Sequence, residues 1–172
     1  MNKEMWERGF RRRIDLFEKF PEKATGQSIS IKIRVTSGCY HRTHSPMAYQ
    51  IIDDFLESNK EIPCCFEEHE SGPELLLFLT IGTDGISLAK SIIDLIKVII
   101  MARSDGIKKG DQPNSSLELV VRGYDKKGTL KEERIMEFRS DFQIDERIIE
   151  NVLKDSVTKL FSTKRKKSKR KK

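Results

Sequence analysis

Cysteine is scarce: the chain holds only Cys39, Cys64 and Cys65, two of them adjacent. An odd count with that spacing makes a poor disulfide framework and predicts a reduced, cytoplasmic protein. There is no C-x-x-C pair of the kind that supplies half of many zinc sites. The opening residues, MNKEMWERGFRRR, have no continuous apolar core, so they do not read as a secretory leader. No P-loop and no dinucleotide fingerprint is present. No serine or cysteine stands in a context that identifies a nucleophile and its base. The sequence therefore names no catalytic residue, and a non-enzymatic protein without a cofactor is the expectation. Repeats at solenoid periods are also lacking.

Long uninterrupted apolar runs are missing too. The longest, Ile86 to Ala102, is broken by Lys90, Asp94 and Lys97. These fall at i, i+4 and i+7, on one face of a helix. A membrane-spanning helix rarely carries three charges in its middle, so an amphipathic helix of a globular protein is expected.

What the chain does hold is charge, unevenly placed. Of 33 Lys and Arg, eight lie in the last nine residues, KRKKSKRKK, leaving 25 against 27 acidic side chains elsewhere. The net +6 thus belongs to the tail, and the remainder carries −2. Such a string cannot pack and is expected to stay disordered. Lys164, Arg165, Lys166, Lys167, Lys169, Arg170, Lys171 and Lys172 are the candidate polyanion-binding residues. No aromatic follows Phe161, so base stacking by the tail is excluded.

Periodicity supplies the fold. Trp6, Phe10, Ile14 and Phe17 predict a helix from about Glu4 to Phe20, ended by the stretch Pro21 to Gly26. Ile29, Ile31, Ile33 and Val35 alternate with Ser30, Lys32 and Arg34, which predicts a strand with one dry and one polar face. Ser45-Pro46 reads as an N-cap and first helical residue of a helix running to about Asn59. Strands follow at Ile62 to His69 and Leu75 to Ile81. The second is apolar at nearly every position and so needs cover on both faces. Gly82-Thr83-Asp84-Gly85 reads as a tight turn into a helix from Ile86 to about Arg103. Leu117 to Tyr124 and Thr129 to Phe138 form a hairpin, and Asp145 opens a last helix. The order predicts an α+β fold with a ferredoxin-like, split βαβ core of about five mostly antiparallel strands, with helices on one face. In domain terms, residues 1–24 are an N-terminal helix and linker, 25–161 one domain, and 162–172 the tail.

Three groups of residues invite chemistry. Cys39, His41 and His44, with His69 at the far end of the next strand, are the metal candidates. Cys64 and Cys65 enter that strand from the opposite end, on the order of 15 Å away, so loop histidines beside a buried cysteine are the preferred reading. The 82–85 loop offers backbone N–H groups to an anion, but Asp84 would repel phosphate. Asp53, Asp54, Glu67, Glu68 and Glu70 suggest paired carboxylates, yet neighbours on a strand point to opposite faces, and a solvated surface is expected. For a partner, the candidate residues are Leu75, Leu77 and Leu79 on the apolar strand and Ile92 and Ile96 on the helix after it.

The stretches LLLFLTIGTDGISLAKSIIDLIKVIIMARS and SLELVVRGYDKKG resemble the effector-associated constant component domains, small α+β proteins of prokaryotic conflict systems. The shared features are a strand, a Gly-containing turn, a long apolar helix and a strand pair, within roughly residues 28–138. The resemblance implies an accessory, non-catalytic role beside protein partners. The alternative is a nucleic-acid-associated protein anchored by its tail.

Overall fold

The structure, a computed structural model, describes residues 27–62, 64–69, 72–79, 81–82, 85–86, 90–124, 130–139 and 145–161. The expected N-terminal helix, the basic tail, Thr83 and Asp84 lie outside these residues. In chain order the elements are β1 (Gln27–Val35), α1 (Pro46–Ser58), β2 (Cys64–His69), β3 (Gly72–Leu79), β4 (Ile81–Gly82), β5 (Gly85–Ile86), α2 (Lys90–Lys108), β6 (Leu117–Tyr124), β7 (Leu130–Phe138) and α3 (Glu146–Phe161).

Five strands form one antiparallel sheet in the order β2-β3-β1-β6-β7. The units β1-α1-β2 and β3-α2-β6 each join two strands with a third between them, the split arrangement the element order implied. Central β1 carries the alternation seen in the sequence. Its odd residues, Ile29, Ile31 and Ile33, are fully buried beside Leu75, Leu77, Leu119 and Val121. The three helices close over this face with Ala48 and Ile52 from α1, Ile92, Leu95, Ile96 and Ile99 from α2, and Ile149, Leu153 and Val157 from α3. Each buried Leu or Ile contributes roughly 1.5–3 kcal/mol of hydrophobic stabilisation. Among the described residues, no helix is long and apolar enough to cross a membrane.

Two local expectations are corrected. The residues around 82–85 do not lead straight into a helix. Ile81 pairs with Ile86 and Gly82 with Gly85 in a two-stranded ladder, and α2 begins only at Lys90. The helix N-terminus that would have held an anion is therefore displaced from that loop. Ser45 precedes α1 but makes no side-chain capping bond. The cap comes instead from Asp111, 64 and 63 residues away in sequence, whose carboxylate accepts from Met47 N–H and Ala48 N–H at 2.9 Å each. A carboxylate there satisfies two orphan donors and complements the helix dipole. Gly106 makes room for it: a Cβ would meet Asp111 Oδ2 at 2.1 Å and Ala48 N at 2.8 Å.

Candidate functional site

The polar residues of the β1–α1 loop meet the end of β2, because β1 and β2 run the same way with β3 between them. Arg42 is the centre of the cluster. Its Nη1 and Nη2 donate to Asp53 of α1 at 2.5 and 3.0 Å, in the fork geometry that matches a carboxylate. Its Nε and backbone N–H donate to Glu68 of β2 at 3.1 and 2.6 Å. The hydrogen bond to Asp53 first, and that to Glu68 as well, hold the guanidinium firmly protonated against its desolvation.

Beneath it lies an aromatic pair. The guanidinium carbon sits 4.8 Å from the centre of the Tyr49 ring, a cation–π contact. Tyr49 meets Tyr40 edge-on at 5.8 Å and donates its hydroxyl to Tyr40 O at 3.1 Å. Tyr40 OH in turn donates to Ile99 O of α2 at 2.7 Å. Burial raises both phenol pKa values. The loop is thus tied from its exposed edge down to the core helix.

His41 belongs to the same edge. Its Nδ1 accepts from Thr43 N–H at 3.2 Å, which places the proton of the neutral ring on Nε2. Nε2 lies 3.3 Å from Glu68 Oε1. His44 and Cys39 are half-buried in the same loop. Among the described residues, no three His, Cys, Asp or Glu groups come together as a metal site; the side chain of His69 is outside them. Of the carboxylates weighed from sequence, Asp53 and Glu68 converge on Arg42, whereas Asp54 accepts from Gln50 at 2.8 Å on the exposed side of α1. Arg42 and Tyr49 carry no signature in the linear sequence; only the fold brings them to those carboxylates.

A second polar set occupies the even-numbered face of the sheet, opposite the helices. The strand face expected to be polar is polar, but it is not open to water. Lys32 is 2% exposed, Glu74 1%, Arg122 3% and Glu118 5%. Arg122 Nη2 lies 2.9 Å from Glu74 Oε1. Ser30 hydroxyl donates to Glu74, and Arg34 Nε donates to Glu118 at 3.0 Å, with Arg134 on the other oxygen. Burial would raise the Glu118 pKa, and the bonds from Arg134 and Arg34 outweigh it, so the group ends lower. Burial, and then the charge of Arg122, push Lys32 down to about 8.

The expected partner surface is placed elsewhere than a surface. Leu75, Leu77, Ile92 and Ile96 are all at most 2% exposed in the chain's own core. Leu75 and Leu77 on β3 and Ile92 and Ile96 on α2 belong to one core cluster and offer almost no exposed area; the side chain of Leu79 is outside the described residues. No family model, curated protein or solved structure matches the chain.

Proposed function

We propose that the chain is a non-enzymatic interaction module, an accessory component of a prokaryotic defence system as its resemblance implies, with the folded body engaging a protein partner or a second copy. What supports this reading is the use made of the most chemically capable residues. Arg42 of the β1–α1 loop is bonded to both Asp53 of α1 and Glu68 of β2, so these charges serve to fasten the loop. The test is a complex reconstituted from purified components. A partner that binds in a fixed ratio and stays bound at high salt supports the reading; a chain that retains only nucleic acid, released by salt, contradicts it.

A second reading has its own support. Several basic groups of the described body are engaged with acids, as in Lys97–Glu146 at 2.6 Å and Lys159–Glu133 at 2.5 Å. The eight basic residues of 164–172 have no acid among them. Polyanion binding, sequence-independent because phosphate contacts position without specifying, then belongs to the tail.

A further inference from the structure

α1 and α2 lie side by side and antiparallel, because each returns the chain across the sheet and the strands before them, β1 and β3, run in opposite directions. Ala48 of α1 faces Gly106 of α2, where a Cβ would come within 2.9 Å of the alanine's own. Ala102 and Val98 continue the row of Gly106 at steps of four, and Ile51 and Phe55 continue the face of Ala48 on α1. Ile51, Phe55 and Val98 are only half-buried. Met47 and Met101, beside them, are 40% and 46% exposed. These apolar side chains border one crease between the two helices, on the side away from the sheet. We propose that the crease is a docking site for an amphipathic helix of a protein partner whose polar flank is basic, an inference that rests on the reading of the body as an interaction module.

Shape and charge select this occupant. Two packed helices leave a groove that a third helix can fill with an apolar stripe at i, i+3, i+4 and i+7. Methionine suits such a surface, because its unbranched side chain repacks around different neighbours. The rims set the sign. α1 carries Asp53, Asp54 and Glu57 and no basic residue. Asp53 is held by Arg42, whereas Asp54 accepts from the neutral Gln50. Among the described residues no cation pairs with Asp54 or Glu57. On the α2 rim, Asp94 and Asp105 are already matched by Lys90 and Lys108. The charge left along the crease is negative, which favours lysine or arginine on the incoming helix. A second copy joined through the same face would add the same negative charge.

The probe is a synthetic helix of about 18 residues, roughly five turns, with a leucine stripe and lysine at its polar positions. Its control carries glutamine in place of lysine. Binding to the full chain is read by fluorescence anisotropy, and its location by the methyl NMR signals of Met47 and Met101. The lysine peptide should bind more tightly than the control, against the repulsion of the basic residues 164–172, and should shift both methyl signals. Met47→Gln with Met101→Gln alters no charge and no core residue; it should weaken both peptides about tenfold at an unchanged urea midpoint. Asp54→Asn with Glu57→Gln should remove the preference for lysine. Equal affinity for the two peptides, or binding that the methionine substitutions leave unchanged, would overturn the proposal. So would a concentration-dependent dimer that those substitutions dissolve, because the crease would then belong to a second copy. A reconstituted partner that binds the methionine variant as tightly as wild type would also overturn this site, while leaving the interaction reading intact.

Discussion

Arg122 and Glu74 stand on strands either side of β1 and reach over it to within 2.9 Å, with 4% and 2% of their side chains exposed. Ser30, the residue of β1 that pairs with Arg122, donates its hydroxyl to the same carboxylate. The pair is therefore interior, and its energetics follow those of buried charges. Removing one partner leaves the other charge desolvated, at a cost of roughly 3–5 kcal/mol. Glu74→Gln should lower stability by that order in urea unfolding. Glu74→Leu combined with Arg122→Met should recover most of the loss, because hydrophobic replacements of similar volume carry no desolvation cost. Single variants losing under about 1 kcal/mol, the range of exposed pairs, would place the pair at the surface.

Lys32 gives the fold a pH dependence of unusual sign. Its neighbours across the even face are Glu74 on β3, Arg122 on β6, Arg34 on its own strand and Glu132 on β7. Its folded pKa is about 8 against 10.5 for a free lysine, the shift being due first to burial. Between those values the unfolded chain holds a proton that the folded chain has lost. Stability should thus rise with pH from about 8 to 10, by at most about 3 kcal/mol. Above pH 10 the buried hydroxyls of Tyr40 and Tyr49, whose pKa values are raised, ionise first in the unfolded chain, and stability should fall again. Urea midpoints across this range should show the rise in wild type and lose it in Lys32→Met. A midpoint that falls steadily from pH 8 would contradict the buried position.

The remote cap of α1 gives a third test. Asp111→Ala should cost roughly 1–2 kcal/mol, the usual loss for a helix cap. Gly106→Ala should cost at least as much, since its Cβ would displace the same carboxylate. Because both changes break one contact, the double variant should lose little more than Gly106→Ala alone. Full additivity in thermal or urea unfolding would show that the two residues act separately.

These three sites mark where the chain was legible and where it was not. The strand of alternating isoleucines from Ile29 to Val35, the helix behind Pro46 and the hairpin of β6 and β7 depend on local periodicity, which is written in neighbouring residues. Leu75 to Leu77 announced cover on both sides of β3, and Leu76 is indeed buried on the even face. By contrast, Ser45 has the right chemistry for a cap at the right place, and Asp111 supplants it from the far end of α2. No pattern within a short window encodes such a partner. The same limit applies to Lys32: alternation identifies its face as polar, while its burial depends on what lies over the sheet. Asp53 and Glu68 were visible as carboxylates, but their convergence on Arg42 is a product of the β1-α1-β2 crossover.

If the tail is the polyanion-binding element, as proposed above, affinity for polyanions resides in residues 164–172, while many charges of the described body are paired within it. The direct measurement is a salt titration of duplex binding by the full chain and by residues 1–163. Each phosphate neutralised contributes about −0.9 to the slope of log affinity on log salt, so eight basic side chains set a ceiling near −7. The full chain should give a slope between about half that ceiling and the ceiling itself, with no preference among sequences. The shortened chain should not bind measurably under the same conditions. Equal binding by the two chains would contradict the account and move the basic surface onto the fold, with Arg34 and Arg134 at the open edge of the even face the first residues to replace.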